Sequence, residues 1–334
     1  MHTPLHYFLS RVCSMFIFLS LMIFPCFTRG QTSSGAFDRN HEIFRVIRSG
    51  SAEKLEVLLQ NGANANAEEK GNSALMAAAL TGSKEEMELL ILHGAVVNYQ
   101  DSDGITALWY AVPDFDKSDL LLKHGADPDL RSKEGFTVLV KLANYPGTEK
   151  LFLLLMEHGA DPLKSGPDNT LLYNAASSCD TAILGLLLRS GLRANDTVSV
   201  GDYPIINALN FRCFSSVKML VDNGANVNVA PMHFSLDLIN GITPLMFAGV
   251  SNDSLSFFYL LEHGANPNAR SKKGYSVLMY VQQAEKEEPA MTRALIEKGA
   301  DPKIKAPDGA DALFLAQLKG NTQTVELLKK YAAN

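Results

Sequence analysis

From Gly241 to Ala265 the chain runs GITPLMFAGVSNDSLSFFYLLEHGA. The order of residue types in this stretch specifies two helices and the way they begin and end. Thr243 supplies a hydroxyl that caps a helix N-terminus, and Pro244 sits in the first turn, where its missing N–H costs little. Leu260-Leu261 is the buried stripe of an amphipathic helix. Gly264, just past that stripe, takes the left-handed conformation that ends a helix and that other residues resist. Thr243 and Gly264 are 21 residues apart, enough for two short helices and a tight turn.

The same pattern recurs along the chain. A glycine closes a hydrophobic run at Gly62, Gly94, Gly125, Gly159, Gly191, Gly224, Gly264 and Gly299, at successive spacings of 32, 31, 34, 32, 33, 40 and 35 residues. Alanine follows each except Gly191, which precedes Leu192. Aliphatic pairs such as Leu58-Leu59 and Leu121-Leu122, or Leu155-Met156, stand three and four residues before each glycine. A ninth register has Leu327-Leu328, with Tyr331-Ala332 where Gly-Ala would fall. The opening pattern recurs as Gly71-Asn-Ser-Ala-Leu-Met-Ala-Ala78, Gly104-Ile-Thr-Ala-Leu-Trp-Tyr-Ala111 and Gly274-Tyr-Ser-Val-Leu-Met-Tyr-Val281. Self-similarity at such a period is the signature of a repeat architecture. About ten residues rich in Asn, Asp, Ser, Lys and Gly lead from each closing glycine to the next cap, and predict an exposed turn or hairpin.

With these motifs the chain resembles an ankyrin-repeat protein over about residues 38–334. The family's T-P-L-H-x-A opening is matched by Thr243-Pro244-Leu245 and Ala248. Its G-A-D-x-N closing is matched by Gly62-Ala63-Asn64-Ala65-Asn66, Gly224-Ala225-Asn226-Val227-Asn228 and Gly264-Ala265-Asn266-Pro267-Asn268. The motif's histidine is replaced by Met76, Trp109, Val140, Tyr173, Ile206, Met246, Met279 and Phe314. The unit closing at Gly125 is two residues short, which predicts irregular helices, and the unit from Asp168 lacks the opening glycine. The resemblance implies an all-α solenoid of about nine helix-turn-helix units with short hairpin fingers, none able to bury its apolar face alone. Arg39 to Gly62 is expected to cap one end and Asp311 to Asn334 the other.

The chain has 334 residues, 46% hydrophobic and 20% charged, with a formal net charge of −6. This balance argues against nucleic acid, whose binding rests on Lys and Arg neutralising phosphates, and against polybasic attachment to lipid. The segment ahead of the repeats differs in kind. Val12 to Thr28, VCSMFIFLSLMIFPCFT, carries no charge and lies between Arg11 and Arg29. A membrane span needs ~20 apolar residues and a signal-peptide core ~7–15, so the run fits either a cleaved export signal or an uncleaved anchor. Residues 1–30 are read as signal peptide or N-terminal anchor and 31–37 as flexible linker. The expected location is periplasmic or secreted, with N-terminal membrane anchoring as the alternative.

The sequence contains no G-x-x-x-x-G-K-[ST], G-x-S-x-G, H-E-x-x-H or C-x-x-C, and the repeats take up the chain after the leader. No enzymatic activity, cofactor or metal is therefore expected. Asp101-Ser-Asp103-Gly104 opens like a calcium loop but lacks the later acidic ligands. His93, His124, His158 and His263 each precede a closing glycine. The resemblance gives them a helix-ending role, and repeats ~10 Å apart are too widely spaced for one metal to join two of them. The competing reading, a metal-binding or enzymatic protein built on the solenoid, would make them ligands. Cys179 and Cys213 fall near the helix–helix turns of neighbouring units, close to the ~7 Å Cα limit for a disulfide, so bonded and free states both stay open.

The resemblance further implies a monomer that binds an unidentified protein through its finger tips and the concave face of its first helices. Carried over position by position, the residue after the opening glycine is Ile105, Phe136, Ile242 or Tyr275, and the residue four past the cap is Tyr110, Lys141, Asn174, Asn207, Phe247 or Tyr280. These positions are expected to face solvent. Large apolar residues there either mark a binding hot spot or pack on the neighbouring finger. The interval from Gly224 to Gly241 is 17 residues where ten is usual, with the surplus in Val229 to Leu238. Insertions in repeat proteins map to loops, often on the binding side, which makes Met232, His233 and Phe234 an apolar tip. It either contacts the partner or is a neutral insertion, since long surface loops cost little.

Overall fold

Short polar side chains begin most of the helices. Thr106, Thr243 and Ser276 accept the N–H groups of Trp109, Met246 and Met279. Asp114 and Asp253 do the same for Lys117 and Ser256 at the heads of second helices. Each such cap satisfies a donor that a helix start leaves bare. The structure is a computed structural model and describes residues 39–168, 170–198, 201–231 and 241–332. The leader and linker expected at 1–30 and 31–37 lie outside the described residues.

Among the described residues the chain forms nine helix pairs. In order they are α1 (Arg39–Ser49) with α2 (Ala52–Gln60), α3 (Ala74–Thr81) with α4 (Lys84–Leu92), and α5 (Ala107–Ala111) with α6 (Phe115–Lys123). Then come α7 (Val138–Leu142) with α8 (Glu149–Glu157), α9 (Thr170–Ser177) with α10 (Thr181–Arg189), and α11 (Pro204–Asn210) with α12 (Phe214–Asp222). The last are α13 (Pro244–Val250) with α14 (Ser254–Glu262), α15 (Val277–Gln282) with α16 (Pro289–Glu297), and α17 (Ala312–Lys319) with α18 (Thr322–Ala332). First helices pack on the first helices of adjacent units, and second helices on second helices. The core runs between these two layers: Leu75, Leu139 and Leu245 of first helices, and Leu90, Leu155 and Leu260 of second helices, are at most 1% exposed. Burying one such side chain is worth about 1.5–3 kcal/mol.

The deficit in the third unit falls on α5, which is only five residues long. Pro113 follows its C-cap Val112 and has no N–H with which to continue the helix. The second helix of that unit, α6, keeps nine residues. In the first finger, β1 (Glu68–Glu69) pairs antiparallel with β2 (Asn72–Ser73). Lys70 and Gly71, at φ 54° and 84°, form its turn, two left-handed residues as the twist of a two-residue hairpin requires. The eight closing glycines all have φ between 81° and 99°. Where the fifth unit lacks its opening glycine, Asp168 itself adopts φ 54°.

The closing loops are sewn to one another by asparagine. Asn228 donates from Nδ2 to the carbonyl of Gly264 (3.0 Å) and accepts the N–H of Asn266 on Oδ1 (2.8 Å). Asn66 makes the same two bonds to Gly94 and Val96, and Asn98 to Gly125 and Asp127. Asn195 repeats them with Gly224 and Asn226, and Asn268 with Gly299 and Asp301. Asp129 has no donor and makes only the accepting bond, to the N–H of Asp161 (3.0 Å). At the equivalent place in the fourth unit stands Leu163, 64% exposed, whose side chain can make neither.

Two bonds of about 0.5–1.5 kcal/mol each are lost in Asn228→Ala, so the variant should be about 1–2 kcal/mol less stable in urea unfolding. Leu163→Ala should change stability by less than about 0.5 kcal/mol. An Asn228→Ala curve overlaying the parent would show that the stitch contributes nothing.

Candidate functional site

The side expected to meet a partner is less open than its sequence positions suggest. Phe247, Tyr280, Ile242 and Asn207 were expected to face solvent, and all are buried, at 8%, 4%, 5% and 6% exposure. Ile105, Tyr110, Phe136, Lys141, Asn174 and Tyr275 are partly buried. Packing against the neighbouring unit causes the difference. The Tyr110 hydroxyl lies 3.4 Å from Asn72 Oδ1 in the preceding finger. Phe136 lies against the following finger, where a Cβ on Gly166 would come within 3.1 Å of its ring. Asn207 donates to the carbonyl of Tyr173 (2.7 Å). Tyr275 donates to Asp308 (2.5 Å), and its ring stands edge-on to Tyr280 with centroids 6.2 Å apart. Met232 and Phe234 lie outside the described residues. Of the described residues on either side of them, Gly241 donates its N–H to the carbonyl of Pro231 (2.9 Å).

Lys141 is the one cation among these positions. Its ammonium donates to the carbonyl of Trp109 and lies 5.9 Å from the centroid of that half-buried ring. Burial pushes its pKa down to about 8. The Tyr275 hydroxyl is pushed up to about 12, first by its bond to Asp308 and then by burial. Tyr173 is raised well above the ordinary range by burial and by the neighbouring Asp202 carboxylate, which its hydroxyl meets at 3.1 Å. These groups are held in place by adjacent units, so this side presents preset shape and charge.

His93, His124, His158 and His263 are the C-cap residues of α4, α6, α8 and α14, and all are exposed. Asp101 Oδ1 accepts the N–H groups of Asp103 (2.8 Å) and Ile105 (2.9 Å), which makes it a turn-forming residue of its finger. Among the described residues no three His, Cys, Asp or Glu side chains gather as a metal-binding group. Cys179 and Cys213 are joined by a disulfide, with Cα atoms 5.1 Å apart. Cys179 has φ 57° in the turn between α9 and α10, and Cys213 caps the start of α12. The bond therefore clasps the fifth unit to the sixth. Sequence reasoning counted the loop asparagines only as turn formers and missed their bridging role. The signal was their recurrence four residues past Gly62, Gly94, Gly191, Gly224 and Gly264.

Fold and surface together define a repeat solenoid of helix pairs. A family model described as "Ankyrin repeats (3 copies)" matches residues 43–132 and 172–271. The chain belongs to the ankyrin-repeat family, and its repeats make it a protein–protein interaction module of a typically non-catalytic kind. It is similar to a putative ankyrin repeat protein, L371, of Acanthamoeba polyphaga mimivirus, at 24% identity over 46% of this chain and 19% of that protein. It is also similar to the B-cell lymphoma 3 protein homolog of Mus musculus, at 27% identity over 54% of this chain and 39% of that protein. A third relative is the ankyrin repeat, SAM and basic leucine zipper domain-containing protein 1 of Ornithorhynchus anatinus, 30% identical over 36% and 25% of the two chains. The chain thus spans well under half the length of these curated relatives. The crystal structure of the human ASB11 ankyrin repeat domain aligns with 77% of this chain and 98% of that chain, at 21% identity and a TM-score of 0.47.

The depressed Lys141 pKa has a consequence for stability. Its folded value of about 8 lies below the ordinary 10.5. Between those values the native chain binds fewer protons than the unfolded one, so stability rises with pH through the window. Thermal melts of the parent and Lys141→Met, compared from pH 7 to pH 10.5, should show the parent gaining on the variant above pH 8. Parallel pH profiles would mean that the amine is not desolvated.

Proposed function

We propose that the chain is exported and acts in an oxidising compartment, engaging a partner protein through its fingers and the adjoining first-helix face. The observation that carries this reading is the Cys179–Cys213 bond between neighbouring units. Disulfides persist in secreted and periplasmic proteins and are rare where glutathione and thioredoxin keep thiols reduced. Closing a loop across 34 residues also restricts the unfolded chain, an effect of about 2–4 kcal/mol that is available only where the bond survives. The uncharged run from Val12 to Thr28 ahead of the repeats supports the same route.

The choice of face rests on the fingers. They carry the one long insertion in the sequence, Val229 to Leu238. Beside them Tyr110, Lys141 and Tyr275 are tied to adjacent units. Side chains held in advance lose little freedom on binding, which favours affinity.

Expression of the full chain in its native host, followed by N-terminal sequencing and thiol alkylation with and without reductant, tests the export half. The mature protein should begin near residue 31, and Cys179 and Cys213 should alkylate only after reduction. An intact leader on membrane-bound protein would make the chain an anchored scaffold. Free thiols in freshly lysed cells would overturn the oxidising location.

A further inference from the structure

Charge is unevenly shared among the fingers. The five fingers up to Asp202 each carry at least two carboxylates, among them Asp101 with Asp103 and Asp127 with Asp129, and in none do cations outnumber carboxylates. The finger from Asn266 to Tyr275 reverses this, with Arg270, Lys272 and Lys273 and no carboxylate at all. The next finger carries Lys303 and Lys305 against Asp301 and Asp308, an even balance, so the two fingers together hold five cations and two carboxylates. All five cations are exposed, in a chain whose net charge is −6.

The two fingers are fastened together. Arg270 donates from Nη2 to the carbonyl of Lys305 (2.8 Å) and from Nε to that of Gly274 (3.1 Å). Two carboxylates lie in the second finger; they keep their charge, but both are turned to donors of these two fingers. Asp308 accepts the Tyr275 hydroxyl and the N–H of Ala310, and Asp301 accepts the backbone N–H of Lys303. Among the described residues neither forms an ion pair with Lys273, Lys303 or Lys305. The result is a fixed edge of net positive charge, centred on the finger from Asn266 to Tyr275, at one end of an acidic row.

We propose that this edge docks an acidic, extended segment of the partner protein. The proposal rests on the reading of the chain as an interaction module and adds the chemistry of what it binds. Neighbouring units lie ~10 Å apart and an extended chain advances ~3.3 Å per residue, so carboxylates about three residues apart meet adjacent fingers. A nucleic-acid duplex or a lipid surface would run on past these two fingers and over the acidic ones. Repulsion there acts within the ~8 Å over which charges are felt at physiological salt. A short acidic segment ends before reaching them.

The test uses the mature chain and a fluorescent, unstructured peptide with glutamate at every third position, followed by anisotropy. Binding should weaken at least about tenfold as salt rises from low to physiological strength, and again in the triple variant Lys273→Glu, Lys303→Glu, Lys305→Glu. A control with the same change in charge away from the fingers, Lys54→Glu, Lys319→Glu, Lys329→Glu, should stay within about twofold of the parent, because exposed charges beyond a Debye length are screened. Thermal melts establish that both variants fold. Equal loss in both variants, or none in the finger variant, overturns the proposal. Tighter lysine-dependent binding to phosphatidylglycerol vesicles or RNA than to the peptide overturns it in favour of a phosphate surface. Salt-sensitive self-association lost in the finger variant assigns the edge to a second copy instead. Crosslinking in the native compartment separates the two levels of the argument. A partner captured equally by parent and finger variant removes the edge but leaves the module, whereas no partner captured by the parent removes both.

Discussion

Where an asparagine stands four residues past the closing glycine, its paired hydrogen bonds to the next closing loop fix how the two units stack. A lone helix pair leaves one apolar face in water, and only a neighbour can cover it. Leucine burial drives that stacking but has no preferred direction, so by itself it would tolerate sliding and rotation. The amide of Asn228 tolerates neither, since its Nδ2 must reach the carbonyl of Gly264 while its Oδ1 receives the N–H of Asn266. The left-handed closing glycine turns the chain out of the second helix and presents that carbonyl at the loop. Caps, glycines and leucine stripes thus prepare each unit, and the asparagine sets where the next one sits.

Most of the fold was legible because its signals are local. A capping hydroxyl, a leucine pair and a terminal glycine each act within a turn or two of their own helix, so period and order suffice to place them. The surface was harder to read for the opposite reason. Position on a helix says which way Tyr110 and Asn207 point, but their partners, Asn72 and Tyr173, lie more than thirty residues away in the preceding unit. The same holds for the asparagines, visible as turn residues while their partners lie one unit on. The cysteines stood at the limit of repeat spacing. The left-handed turn at Cys179 and the helix start at Cys213 bring their Cα atoms to 5.1 Å.

Division of labour between stack and fingers follows from this arrangement. Loops carried on a rigid scaffold can vary in length and charge without disturbing what holds it together. The long finger after Asn228 and the basic pair at Arg270 and Lys303 are variations of that sort. The stitching asparagine is kept as Asn228 in the first of these fingers and as Asn268 in the second, while Lys303 stands at its place in the third. Partner chemistry can therefore change finger by finger while the stack persists.

Units in series behave as springs in series, and the most compliant joint takes up most of the bending. Leu163 can supply neither of the paired amide bonds between the closing loops of the fourth and fifth units, whereas on the turn side the N–H of Gly147 donates to Asp180 (2.8 Å). Immediately beyond, Asn195 and the Cys179–Cys213 bond together lock the fifth unit to the sixth. A joint without that amide pair thus abuts one closed by both an amide pair and a covalent bond, so the cross-linking changes abruptly from one joint to the next.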